Sequence, residues 1–336
     1  MTKKPITIID IAKLLGVSKS TVSRALKDHP DISTATKEAV HMLAEELNYK
    51  PNNIAMSFRN NKSKVIGLIV PHFSPFFFPS VIEAIEKEIN KRGYNLMIMQ
   101  SNESYENEKH NLDILLSNNA EGFLISVSRK TIDYSHFQTI INNQIPIVFF
   151  DRVPNHLKAD MVLIDDISGA YKAVEYLFQR GNKKIAICLG DPNLLITRNR
   201  LKGYKKALEH HNIEVQPHFI ISGESTEEAE QKALELLSSQ DNPDAILAIS
   251  DLTMSGIMRA VYKLQLRIPE DLSIIGFCEE PFSLMYNPQL SVVDPMASEI
   301  GKVATERLFQ RIHEGNLLET TTINLPSRLI IRKSTL

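Results

Sequence analysis

Residues 6–26 read ITIIDIAKLLGVSKSTVSRAL, and their spacing decides the architecture of the amino-terminal part. Thr7 followed by Asp10 has the Ser/Thr-x-x-Asp/Glu spacing of a capping box that opens a helix. Ile8, Ile11, Ala12 and Leu15 then recur at helical intervals, so this helix has one apolar face. Gly16 breaks the helix, Val17 plugs the junction, and Ser18 is placed to cap a second helix. In that second helix Val22, Ala25 and Leu26 point inward, which leaves Lys19, Ser20, Ser23 and Arg24 outward. Ser20 and Arg24 share a face one turn apart. A helix presenting short donors and an Arg from its first turns suits a DNA major groove. The competing reading is a surface helical hairpin with no partner.

Charge supports the first reading once it is divided along the chain. The 336 residues carry a net charge of −2, yet residues 1–64 hold 11 Lys and Arg against 6 Asp and Glu. A basic head is therefore joined to an acidic body, an asymmetry that suits phosphate contact by the head alone. Hydrophobic residues make up 43% of the chain, enough for real cores in two or three domains. The two cysteines, Cys188 and Cys278, lack metal-ligand spacing, and a reducing compartment without disulfides is expected. The opening residues MTKKPITIID lack an apolar signal core, and no apolar run approaches the ~20 residues of a membrane span. A cytoplasmic protein without membrane contact is expected.

Ser33 is placed to cap a third helix whose apolar face is Ala39, Val40, Leu43, Ala44 and Leu47, ended by Tyr49-Lys50-Pro51. The expected domains are a helical headpiece over 1–50, a hinge and polar linker over 51–64, and a core over 65–336. From Val65 the pattern becomes alternating strands and helices. Strand-length apolar runs lie at 65–71, 95–100, 122–127, 146–151, 184–190, 244–250 and 272–277. Val- and Ile-rich strands joined by amphipathic segments such as 81–92 predict parallel sheets covered on both sides, here in two α/β lobes. In such sheets ligands bind beyond the carboxyl ends of the strands, so polar residues there are the first site candidates.

The segments DIAKLLGVSKSTVSRAL (10–26), VIGLIVP (65–71), FFDR (149–152), RNRLKGY (198–204) and IPEDLSIIGF (268–277) together resemble the LacI/GalR family of transcriptional regulators, over essentially the whole chain. The resemblance implies a helix-turn-helix headpiece, a hinge helix and a two-lobed core with parallel sheets like that of periplasmic binding proteins. It also implies a homodimer on a pseudo-palindromic operator, with a small-molecule effector between the lobes altering DNA affinity. By the same resemblance Lys19, Ser20 and Arg24 read bases, while Thr7, Ser18, Thr21 and Ser23 position phosphates. Asn53, Ala55, Phe58 and Arg59 match the hinge segment that enters the minor groove. Phe58 stands where a Leu usually wedges between base pairs, and it is itself an apolar wedge or an anchor against the core.

For the effector, the resemblance points to Phe77 and Phe78 as aromatic cleft walls, against the alternative that this Phe run is simply core. Asp151 and Arg200 match positions that hold ligand hydroxyls or a carboxylate. Arg198 fits either ligand contact or a structural pairing. Asp251 fits a cleft position and a helix N-cap together. Cys278 and Glu279 occupy a place where many relatives have a ligand-binding Asp. Cys278 has no accompanying base motif, so a catalytic thiol is not expected. Nucleotide, hydrolase and metalloprotease motifs are missing, and no cofactor, metal or catalytic residue is expected. His210 and His211, adjacent on a helix, point about 100° apart and make a poor metal pair. A sugar or sugar derivative is the expected effector, with a purine, a phosphorylated metabolite or a protein co-regulator as alternatives. A solute-binding protein of the same fold is disfavoured by the headpiece. No trailing leucine heptads follow SRLIIR (327–332), which favours a dimer.

Overall fold

Asp10 reaches back over the first turn of α1 (Ile8–Leu14), where its Oδ2 accepts from the Thr7 amide at 2.9 Å and from Thr7 Oγ1 at 2.6 Å. Gly16 then adopts φ +64°, a left-handed turn that is costly for a residue with a Cβ. Helix α2 (Lys19–Ala25) starts at once, capped by Ser18 Oγ accepting from the Thr21 amide at 3.0 Å. Ser33 caps α3 (Thr34–Glu46) in the same manner. Ile11, Val22, Ala25 and Val40 are fully buried where the three helices meet. Ala39 is exposed, contrary to its place in the periodicity. The core of so small a unit covers only a narrow stripe of α3, centred on Val40 and Ala44.

The computed structural model describes residues 6–49, 63–73, 76–315 and 319–336. The chain divides into two compact units, Met1–Ser63 and Lys64–Leu336. Asn53, Ala55, Phe58 and Arg59, the expected hinge contacts, lie outside the described residues.

In the larger unit β1 (Val65–Val70), β2 (Asn95–Gln100), β3 (Gly122–Ile125), β4 (Ile147–Phe150), β5 (Asp160–Ile164) and β11 (Thr322–Leu325) form one parallel sheet, ordered β11-β5-β4-β3-β1-β2. A second sheet contains β6 (Ile185–Leu189), β7 (Ile220–Ser222), β8 (Ala245–Ala248), β9 (Ser273–Phe277), β10 (Ser291–Asp294) and β12 (Arg328–Ile330), ordered β12-β10-β9-β8-β6-β7. Its pairs are parallel except the β10–β12 edge pair. Every residue of β3, β4, β6, β8 and β9 is buried, which is why these strands read as unbroken apolar runs.

Helices α4 (Phe77–Lys91), α5 (Tyr105–Ser117), α6 (Ser135–Asn142) and α12 (Ala297–Glu314) belong with the first sheet. Helices α7 (Asp166–Gln179), α8 (Leu195–His210), α9 (Thr226–Leu237), α10 (Asp251–Leu264) and α11 (Glu280–Leu284) belong with the second. The chain thus passes between the lobes after β5, after β10 and after β11. These crossings leave both lobes tethered side by side and the strand ends facing the space between them. In the first lobe, Asp160 is 1% exposed and accepts from Arg307 Nε at 2.9 Å, Arg311 Nε at 2.5 Å and the Thr321 amide at 3.0 Å. That arrangement ties α12 to the start of β5. A buried charge is tolerable there because its lone pairs are taken.

Candidate nucleic-acid interface and ligand cleft

On α2 the apolar residues Val22 and Ala25 face the headpiece core, while Lys19, Ser20 and Arg24 are exposed and Ser23 is partly so. The helix therefore presents one polar, basic face whose backing is rigid. Ser18 Oγ lies 2.7 Å from Ser20 Oγ and 2.8 Å from Thr21 Oγ1, so the hydroxyls at the helix start form one linked group. With Lys19 beside them, these donors and the helix N-terminus form a surface suited to a phosphate. Thr7 is exposed too, with its hydroxyl held by Asp10.

The larger unit contains a cavity of about 210 Å³ between its lobes. Its walls come from the carboxyl ends of strands. The first lobe supplies Phe77 and Phe78 beyond β1, Glu103 beyond β2, Arg129 beyond β3, and Asp151 and Arg152 at the end of β4. The second lobe supplies Asp191, Glu224 and Asp251 after β6, β7 and β8, Phe277 at the end of β9, and Thr197 and Arg200 of α8. Both lobes thus contribute aromatic and charged side chains to the walls. Phe78 is almost fully buried and meets His72 edge-on at 5.1 Å, so it is cavity wall and core at once.

Ion pairs organise the cavity's charges. Arg152 Nη1 lies 2.7 Å from Glu103 Oε1, and the Arg129 amide donates to Glu103 Oε2 at 2.9 Å. Arg129 Nη1 crosses the cleft to the Glu224 carbonyl at 3.4 Å and to its carboxylate at 3.5 Å. Arg200 Nε bonds Asp166 Oδ1 at 2.7 Å, Nη1 donates to the Ile249 carbonyl, and the guanidinium stacks 3.9 Å from the Phe277 ring. Asp151 sits at φ +58°, a left-handed conformation an Asp tolerates better than most residues. Burial pushes the carboxyls of Asp151 and Asp251 up to about 6.

Phe77, Phe78, Asp151, Arg200 and Asp251 thus border one space. Arg198 lies outside it, in an adjoining chamber, where it reaches the carbonyls of Pro192 and Asn193 and, across the lobes, Asn155 Oδ1 at 3.3 Å. Cys278 and Glu279 depart from the expectation, since neither borders the cavity. Cys278 is 1% exposed in the apolar core of the second lobe, close to the Asp251 carboxylate, and burial pushes its thiol up. Its position one residue beyond Phe277 turns the side chain inward. Glu279 is buried at the start of α11, with its carboxyl pushed up to about 7 by burial and by the charges of Asp294 and Asp251.

His72, Glu103, Arg129, Arg152, Asp191 and Glu224 escaped the sequence reading. Their signal is that each follows a strand, which applies to many residues and selects few. The two adjacent histidines share one carboxylate partner. His210 Nδ1 and His211 Nε2 lie 3.6 and 2.9 Å from Glu175 Oε2, because α7 brings that carboxylate between them.

Residues 7–52 match the family of bacterial regulatory proteins, lacI family, and residues 174–335 match the periplasmic binding protein-like domain. The chain is 30% identical to the HTH-type transcriptional repressor PurR of Pasteurella multocida, over 98% of each chain. It is 33% identical to the ribose operon repressor of Haemophilus influenzae, again over 98% of each. The crystal structure of the Lac repressor dimer bound to operator and the anti-inducer ONPF matches with a TM-score of 0.87 at 26% identity. That match covers 99% of this chain and 100% of the other.

Proposed function

Because the chain belongs to the LacI family of bacterial regulatory proteins, and so is a DNA-binding transcriptional regulator and not an enzyme, we propose that it is a repressor governed by a small polyhydroxylated ligand in the interlobe cleft. It acts as a homodimer on a pseudo-palindromic operator, each headpiece taking one half-site. Lys19, Ser20 and Arg24 read base edges in the major groove, and Thr7, Ser18, Thr21 and Ser23 hold phosphates. Asn53, Ala55, Phe58 and Arg59 form the minor-groove contact, with Phe58 as an apolar wedge. We place the protein in the cytoplasm, where its DNA is. Among the described residues no helix is long and apolar enough to cross a membrane.

One observation carries the ligand reading: a single cavity is walled by polar and aromatic side chains from both lobes, at the carboxyl ends of both sheets. The acceptors Asp151 and Asp251, bordering the same space as Phe77, suit a ring bearing several hydroxyls. The ribose operon repressor among its relatives supports the sugar class. A ligand touching both lobes binds their two relative orientations unequally, and that difference is what alters DNA affinity. Coupling of about 1–3 kcal/mol corresponds to roughly 5–150-fold regulation.

The test is selection of the preferred DNA sequence from a random pool, followed by affinity measurements on that operator with and without sugars that shift the melting temperature. A palindromic consensus with ligand-dependent affinity is the expected result. A stabilising cleft ligand that leaves operator affinity unchanged at saturation defeats the regulatory reading.

A further inference from the structure

A second chamber of about 250 Å³ adjoins the main cavity and shares Arg129, Arg152, Leu194 and Ile196 with it. The charges of the two differ. The main cavity is bordered by Glu103, Asp151, Asp191, Glu224 and Asp251, whereas among the described residues that line the side chamber there is no carboxylate. Its charged lining consists of Arg129, Arg152 and Arg198, with His156 beside them. Arg198 is exposed and donates to neutral oxygens, the carbonyls of Pro192 and Asn193 and the Asn155 amide oxygen. The Nε atoms of Arg129 and Arg152 are buried without a hydrogen-bond partner.

Helix α8 adds to this field. Its first turn borders the chamber, no side chain caps it and no acidic residue lies within it, while Asp191 just before the helix is engaged by the Asn193 amide at 2.8 Å. From the main-cavity side, Glu103 lies 2.7 Å from Arg152 Nη1 and Glu224 3.5 Å from Arg129 Nη1, so these two guanidiniums are already partly neutralised. A further acidic group lies beneath the floor. Glu108 is fully buried and already accepts from the Ser128 amide at 2.7 Å and from Thr131 Oγ1 at 2.8 Å, with His136 Nε2 at 3.1 Å. Its charge is spent on the floor itself.

We propose that this side chamber is the subsite for an oxyanion, a phosphoryl or carboxylate group, carried by the ligand whose hydroxylated ring occupies the main cavity. The inference rests on the cleft being the ligand site. Guanidinium groups bind such oxyanions through paired N–H donors, and an uncapped helix start adds more. Arg129 and Arg152 come from the first lobe and Arg198 from the second, so the anion bridges the lobes where Arg198 now reaches only Asn155. The ligand class that follows is a sugar phosphate or sugar acid, not a neutral sugar.

The test uses the full chain and two probes. Inorganic phosphate, compared with chloride at equal ionic strength, raises the melting temperature of the wild type and not of Arg198→Gln. Calorimetry then compares a pentose and a hexose with their phosphate esters and acids. The charged member binds at least about tenfold tighter than its parent, and Arg198→Gln removes that preference. Equal or tighter binding of the neutral parent overturns the proposal, as does a preference that survives Arg198→Gln. A phosphate response identical in wild type and variant overturns it too, as does a panel in which no member binds. Failure of the cleft reading looks different: ligands bind, and Phe77→Ala changes none of their affinities.

Discussion

Arg200 Nε lies 2.7 Å from Asp166 Oδ1, and the two side chains are only 6% and 3% exposed. The pair joins α8 to the first residue of α7, so a side chain that borders the ligand space is also a structural tie. Arg200→Ala leaves the Asp166 charge buried without its partner. The expected loss is about 3–5 kcal/mol of folding stability. Asp166→Asn added to Arg200→Ala restores part of it, because the orphaned group is then neutral. Urea denaturation of both variants checks this. An Arg200→Ala protein as stable as wild type disproves the structural role, and only then does its ligand affinity report on the cleft alone.

Glu279 sets a pH dependence. Burial, with Asp294 and Asp251 nearby, raises its carboxyl from 4.5 to about 7. The folded state therefore holds this proton where the unfolded chain has released it. Stability from this group is fully present below the ordinary carboxylate range and is lost as pH rises through about 7. Asp151 and Asp251, raised to about 6, act in the same direction at slightly lower pH. Glu279→Gln removes a stability loss of up to about 3 kcal/mol on the alkaline side. Melting temperatures between about pH 5 and pH 8 give the check: the wild type declines and the variant declines less. Identical slopes rule Glu279 out as the titrating group.

The headpiece was legible because its signals are local. Asp10, Gly16 and Ser18 act within a few residues of themselves, and the structure uses each as the spacing implies. The buried central strands were legible for a related reason, since covering on both faces leaves an unbroken apolar run. Strands β5 and β11, with alternating burial, and β7, three residues long and nowhere buried, carry no such run. The cleft was legible only in part. Asp151 and Asp251 stand at or next to the ends of recognisable apolar runs, whereas Glu103 and Arg129 lie two or three residues past theirs and Glu224 follows β7, which gives no run, so they meet only through the tertiary fold. Cys278 shows the limit of reading along the chain, because one residue of rotation beyond Phe277 exchanges cleft for core.

Arg24 is exposed on the outward face of α2, one turn from Ser20, over a buried Val22 and Ala25. Arg24→Ala leaves that packing untouched and removes the guanidinium that we propose reads a base. It costs about 1–3 kcal/mol on the selected operator and relaxes preference at the contacted base pair. Lys62→Ala, in the basic linker, instead weakens binding to all sequences alike and reduces the salt slope by about 1. Affinities for the operator and its single-base variants separate these outcomes. Equal losses on every sequence from both variants count against α2 as the reading helix.

Gly203 marks the close approach of α8 to α7. A Cβ there collides with the Ile167 carbonyl oxygen and lies 2.8 Å from Ala170 Cβ, so the helices must separate to admit it. Backbone does not yield as a flexible side chain does, and Gly203→Ala is expected to cost about 1–3 kcal/mol. The same separation draws Arg200, one turn earlier on α8, away from Asp166 on α7. The two substitutions therefore damage one shared interaction. The Gly203→Ala, Arg200→Ala double variant should lose less stability than the sum of its parts, by more than about 0.5 kcal/mol. Denaturation of the wild type, both single variants and the double variant completes the cycle. Additivity within that margin means that the α7–α8 contact and the Arg200–Asp166 pair are held independently.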